Sequence, residues 1–196
     1  MSGSGKTTVL KLLLRFYESE VGEIKVGGQA LDKFSYKTWR SQCGVVMQDG
    51  FIFSESIERN IAVGDEQPDR SKLLNAIRVA NIQDLIDALP LGLNTKIGAE
   101  GNGVSQGQRQ RILIARAVYK DPHYIFFDEA TNALDANNER VIMDNLNHFF
   151  TNRTVVIVAH RLSTVSNADN SIVLENGRII RQGGDDEQTA LKGEYY

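Results

Sequence analysis

Residues 3–8 read Gly-Ser-Gly-Lys-Thr-Thr, and they run without a break into Val9-Leu-Lys-Leu-Leu-Leu-Arg-Phe16. No other stretch constrains the fold as much. Glycine tolerates backbone conformations that turn successive N–H groups inward, and a following helix aims its positive end at whatever occupies the loop. The expected local structure is an anion-wrapping loop followed by a helix buried beneath a sheet. Met1 to Thr7 matches the phosphate-loop pattern G-x-x-x-x-G-K-[ST], with its first glycine falling before Met1. In that pattern Ser2, Gly3, Ser4, Gly5 and Thr8 surround nucleotide phosphates. Lys6 supplies a point charge to the β- and γ-phosphates, and Thr7 supplies a hydroxyl to Mg2+. Read alone, a Gly/Ser terminus also fits a flexible tag, but the apolar run behind Lys6 argues against it.

A nucleotide site of this kind needs an acid at the end of an apolar strand, and Tyr124-Ile-Phe-Phe127-Asp128-Glu129 offers two. Open α/β sheets bind ligands at the carboxyl ends of their strands. There Asp128 is suited to hold Mg2+ through water, and Glu129 to accept a proton from an attacking water. A strand ending in surface carboxylates is the plain alternative, and it fits a single acid better than an adjacent pair.

The rest of the chain supports an α/β core with an inserted helical segment. Gly22 to Val26 and Cys43 to Met47 read as strands closed by Gly27-Gly28 and Gln48-Asp49-Gly50. Between about 56 and 119, apolar residues recur three and four apart (Leu73, Leu74, Ile77, Ala80; Ile82, Leu85, Ile86, Leu89), which predicts a helical subdomain. Apolar strands at 124–127 and 154–159, separated by a helix from about Ala136 to Phe150, predict a mostly parallel sheet covered on both faces. A hairpin is predicted from Ser171-Ile-Val-Leu174 through Glu175-Asn176-Gly177 to Arg178-Ile-Ile-Arg181.

Composition excludes several classes. The chain of 196 residues is 41% hydrophobic with a formal net charge of -3, which suits one globular domain and argues against a nucleic-acid footprint while leaving room for a local basic patch. A single cysteine, Cys43, permits no internal disulfide and reads as a buried strand residue. No apolar run approaches the ~18 residues of a membrane span. His123 and His148 have no motif around them and read as surface residues.

Gly103-Val-Ser105-Gln106-Gly107-Gln108-Arg109-Gln110-Arg111 opens a helix, with Ser105 and Gln108 spaced for a capping box. The phosphate loop, Gln48 after a strand, this glutamine-rich helix start, Asp128-Glu129, Asn132-Ala-Leu-Asp135 and His160 after Val155-Val-Ile-Val-Ala159 occur in a telling order. In that order they resemble the nucleotide-binding domain of ATP-binding cassette (ABC) proteins. The resemblance covers the whole chain and implies a P-loop NTPase core spanning 1–196, short of the family's first strands and of its adenine-stacking aromatic. Tyr17 and Tyr36 lie after the phosphate loop and are not assigned to that stacking role.

The resemblance further implies that Ser105, Gln106, Gly107 and Gln108, the signature motif, clamp an ATP bound to a second copy. Gln48 would contact Mg2+ and the attacking water, Asp135 would bridge the two copies, and His160 would contact the γ-phosphate. Glu129, His160, Gln48 and Lys6 are thus the expected catalytic set, Thr7, Gln48 and Asp128 the metal set, and ATP and Mg2+ the cofactors. Gln106 replaces the family's usual glycine and Asn132 its usual serine; the acid common two residues after Ile97 is displaced to Glu100. Gln48 to Phe53, Ser56 to Ile61 and Ala159 to Val165 are similar to exporters whose ATPase domain follows a membrane domain, and Phe51 and Phe53 would receive that domain's coupling helices. Ile97 to Gly103 with Gln106 is similar to bacterial peptide and bacteriocin exporters, some with a peptidase domain. The expectation is ATP-driven export at the cytoplasmic face of a bacterial inner membrane, as a dimer, with no nucleic-acid partner. A soluble ABC ATPase of DNA repair or translation, or a truncated non-catalytic fragment, are the alternatives.

Overall fold

The structure is a computed structural model, and it describes residues 4–159 and 168–183. The helices are α1 (Lys6–Leu13), α2 (Tyr36–Ser41), α3 (Ile57–Ile61), α4 (Arg70–Val79), α5 (Gln83–Asp87), α6 (Gln106–Tyr119) and α7 (Ala136–Phe150). The strands are β1 (Lys25–Val26), β2 (Gln29–Ala30), β3 (Cys43–Val46), β4 (Tyr124–Asp128), β5 (Thr154–Val158), β6 (Ser171–Glu175) and β7 (Arg178–Gly183). They fall into two compact units, one of Lys37–Val156 and one of Met1–Tyr36 with Ile157–Tyr196.

In the larger unit, β3 and β4 pair in parallel with Val45 opposite Phe126 and Val46 opposite Phe127, and the sheet order is β3-β4-β5. The central strand is buried from Ile125 to Asp128, which explains its unbroken apolar sequence. Phe127 is fully buried, with its ring 5.7 Å from that of Phe150 at the end of α7. The helical pattern of 56–119 resolves into α3, α4, α5 and α6, with Ile57, Leu73, Ile82, Ile112 and Ile114 fully buried. α4 starts on Asp69, whose carboxylate accepts from the N–H groups of Ser71 and Lys72, and α7 starts on Asp135.

Cys43 lies in β3 as expected, 2% exposed, with its thiol donating to the Trp39 carbonyl at 3.2 Å. Burial pushes the thiol up to about 12, outweighing the opposing pull of Lys120. The thiolate is the reactive form, so the native chain is expected to alkylate about a hundredfold or more slowly than the denatured chain at pH 8. Mass spectrometry after iodoacetamide treatment checks this, and equal labelling of both states would contradict it. His123 and His148 are exposed, as their sequence context suggested.

The smaller unit departs from expectation in two places. α1 buries Leu10 and, just beyond its end, Leu14, while Val9 is 40% and Phe16 55% exposed. It covers one face rather than all of them, and it ends where Arg15 turns into the left-handed region at φ 55. The strand expected over 22–26 shortens to β1, which pairs with β2 across Gly27-Gly28 only at Lys25 and Val26, and Gly22 at φ 85 lies outside extended geometry. The β6–β7 hairpin forms as predicted around Asn176-Gly177, with an irregularity between Val173 and Leu174.

Candidate functional site

The described part of the phosphate loop begins at Ser4. Gly5 adopts φ 94 and ψ 0, a left-handed conformation costly for any other residue, and it is the N-cap of α1. Among the described residues no side chain caps this helix end, and first-turn N–H groups of this kind are suited to an anion. The Lys6 ammonium donates to the Ser4 hydroxyl at 2.7 Å, which folds the lysine back over its own loop. The hairpin turn supports the loop from outside: the Gly177 N–H donates to the Ser4 carbonyl at 3.2 Å. Tyr17 and Tyr36 each carry a cation near one ring face, Lys11 and Arg15 respectively. Ser2, Gly3 and His160 lie outside the described residues.

In the larger unit, β4 ends on Asp128, 4% exposed, and the chain turns at once. Glu129 takes φ 53, which brings its side chain to partial exposure beside the buried strand end. The turn is held by the Asn132 N–H donating to the Glu129 carbonyl at 3.2 Å and the Leu134 N–H donating to Thr131 at 3.0 Å. Thr131 also donates its hydroxyl to Glu139 at 2.9 Å. Asp135 caps α7, accepting from the backbone N–H of Asn138 at 3.0 Å and from its side-chain amide at 2.7 Å. These bonds from Asn138 hold the Asp135 carboxyl below its ordinary range. The Asn138 amide oxygen also accepts from Asn81 at 3.0 Å, and the Asn81 carbonyl accepts from Arg111 of α6. Asp135, the turn at Asn81 between α4 and α5, and α6 thereby share one hydrogen-bonded path.

The signature stretch forms the predicted capping box. The Gln108 N–H donates to the Ser105 hydroxyl oxygen at 3.2 Å, and the Ser105 N–H donates to the Gln108 side-chain oxygen at 2.8 Å. A hydroxyl accepts with its lone pairs and still has a proton to donate, so capping leaves Ser105 a donor for a phosphate. Ser105 and Gln106 are exposed, and a Cβ added at Gly107 would stand 3.1 Å from the Ala133 carbonyl. The start of α6 therefore packs tightly on the turn after Glu129.

Gln48 is exposed in the loop after β3. Two residues on, a Cβ at Gly50 would meet the Leu113 side chain at 2.3 Å, so any larger residue would require Leu113 to shift where this loop lies against α6. Phe51 and Phe53 are 67% and 41% exposed and stack edge to face with centroids 5.2 Å apart. Arg116 supports them from below, donating to the Phe51 carbonyl at 2.9 Å and the Asn60 carbonyl at 2.7 Å. Burial pushes Arg116 down to about 10, so it stays charged at neutral pH. Glu100, the displaced acid, is tied locally: its N–H donates to Ser54 and its carboxylate pairs with Lys96 at 3.3 Å.

No three His, Cys, Asp or Glu side chains among the described residues could hold a metal between them. The hydroxyl of Thr7, the amide oxygen of Gln48 and the carboxylate of Asp128 are hard oxygen donors. Each is the type of donor that Mg2+ takes while keeping waters and phosphate oxygens in its shell. Sequence reasoning gave no role to Gln110, Asn132, Asn138 or the Arg116–Asn60 pair. Gln110 carried a signal as a polar residue on the buried side of an apolar helix, and Asn132 carried one as a departure from the family's usual serine.

A profile of the family described as ABC transporter matches residues 1–132. The alpha-hemolysin translocation ATP-binding protein HlyB of Proteus vulgaris is 48% identical over 182 residues, covering 93% of this chain and 26% of that protein. The leukotoxin export ATP-binding protein LtxB of Aggregatibacter actinomycetemcomitans is 46% identical, covering 98% and 27%. ABC transporter B family member 21 of Arabidopsis thaliana is 46% identical, covering 95% of this chain and 14% of its own length. The chain thus spans roughly a seventh to a quarter of the length of these relatives. The structure of a bacterial Atm1-family ABC exporter with ATP bound superposes with a TM-score of 0.91 at 36% identity, over 99% of this chain and 34% of that one. With the family profile covering two thirds of the sequence and the fold matching throughout, the chain belongs to the ABC transporter family, as an ATP-binding ATPase domain.

Proposed function

We propose that this domain hydrolyses ATP to drive export of a substrate across a membrane, working as a dimer with a second nucleotide-binding domain. Residues 1–196 form its nucleotide-binding domain, with 56–119 as the helical segment. The observation that carries the hydrolytic reading is the end of β4, where a buried Asp128 is followed by a half-exposed Glu129 on a sharp turn. Glu129 takes the proton from a water that attacks the γ-phosphate, with Gln48 and His160 orienting that water. Lys6 and the loop of Ser2, Gly3, Ser4, Gly5, Thr7 and Thr8 bind the phosphates and stabilise their charge. Mg2+, held through Thr7, Gln48 and Asp128, would neutralise charge on the β- and γ-phosphates.

Ser105, Gln106, Gly107 and Gln108 close over the ATP of the partner copy, and Asp135 bridges the two. The exposed Phe51–Phe53 pair is the surface that receives the membrane domain. Likeness to two bacterial toxin exporters supports placement at the cytoplasmic face of a bacterial membrane and a polypeptide cargo. None of the described helices is long and apolar enough to cross a membrane.

Titration with ATP and magnesium tests the phosphate site. Lys6→Ala is expected to weaken binding by roughly 10- to 100-fold, the worth of a lost charged hydrogen bond. Wild-type affinity in that variant would sink the assignment.

A further inference from the structure

Three interactions converge on the turn that carries Glu129, and two of the residues making them have no role so far. Gln110 of α6, 7% exposed, uses both ends of its amide. It donates to the Glu129 carbonyl at 3.0 Å and accepts from the Ala133 N–H at 3.1 Å. A buried amide satisfied at both ends fixes the distance between the two backbone groups it joins. A non-glycine residue in the left-handed region, as Glu129 is at φ 53, persists only where its surroundings hold it. The third interaction reaches the carboxylate itself: the Asn132 side-chain amide donates to Glu129 Oε2 at 2.5 Å.

The geometry points to Asn132 as a positioning residue for hydrolysis, orienting the Glu129 carboxylate on a turn that Gln110 pins to α6. The inference rests on the reading of Glu129 as the base. A free glutamate side chain samples many rotamers, and a base out of hydrogen-bond reach of its water is idle. A charge-assisted bond to one carboxylate oxygen removes much of that freedom. A carboxylate offers about four lone-pair sites on two oxygens, so engaging Oε2 leaves room to accept a proton from water. A serine here would have a shorter arm than asparagine and hold the carboxylate less firmly.

The plain alternative is that Asn132 only shapes the turn, as asparagine often does. The two roles separate in the kinetics of the intact protein containing this chain. Asn132→Ala is expected to lower kcat about tenfold, equivalent to about 1.4 kcal/mol of barrier, with KM for ATP and the melting temperature unchanged. Asn132→Asp, nearly isosteric but lacking the donor and repelling Glu129, is expected to fall at least as far. Asn132→Ser, which keeps a donor, should recover part of the rate. Wild-type kcat in the Ala and Asp variants, a loss carried by KM, or equal losses in Ser and Ala that follow the melting temperature would each overturn the proposal. Glu129→Gln run alongside separates the two readings. If it still turns over, the base assignment fails and takes this proposal with it; if it is inactive while Asn132→Ala is normal, only the proposal fails.

Discussion

Glu129→Gln is expected to bind ATP as the wild type does and to lose turnover by roughly 10²- to 10⁴-fold, the usual contribution of a positioned general base. The substitution is nearly isosteric. It leaves φ at residue 129 to the same backbone bonds from Asn132 and Gln110, and the new amide oxygen can still accept from Asn132. What disappears is the proton acceptor, so the loss falls on kcat and not on nucleotide affinity. Phosphate release and nucleotide titration on the same preparation measure both. A variant that turns over within tenfold of wild type would remove Glu129 from the mechanism.

The second large effect is structural. Phe127→Ala deletes a fully buried ring from the central strand, one residue before Asp128, and leaves the Phe150 ring facing a cavity. Such truncations cost about 3–5 kcal/mol, a large share of the ~5–15 kcal/mol that holds a domain together. For a chain of this size that is a fall of roughly 6–20 °C in the melting temperature. The paired control is Phe51→Ala. Phe51 is 67% exposed, so its removal should change stability by no more than about 0.5 kcal/mol while uncoupling hydrolysis from transport if it meets a membrane domain. Equal melting temperatures for Phe127→Ala and wild type would show that β4 does not anchor the core. Normal transport by Phe51→Ala would remove the aromatic pair from the coupling surface.

Much of this was legible in advance because it is written locally. The extent of α7 follows from its apolar spacing and the Asp135 cap. The box at Ser105 and Gln108 is a four-residue pattern, and β4 is an unbroken apolar run because both its faces are covered. The misjudged elements were those whose environment lies elsewhere in the chain. Composition could not tell that α1 buries one stripe and not its whole surface, since Leu12, Leu13 and Phe16 are as apolar as Leu10. Nor could it tell that the strand would begin at Lys25 rather than at Gly22.

The sequence by itself determined the family, through the order of motifs that places the chain among ABC transporters, and it supplied the residues proposed to cradle phosphate and to take a proton. Those properties reside in side-chain type and short spacing, and they survive without knowing the fold. Only the tertiary structure decided what holds the chemistry in place. Gln110 reaches Glu129 across 19 residues and Arg116 reaches Asn60 across 56, and Asn132 meets Glu129 only because the backbone between them turns. The Asn132 contact depends on one left-handed residue at the end of a buried strand, the other two on close packing of α6, and long-range packing decides such features, not local sequence.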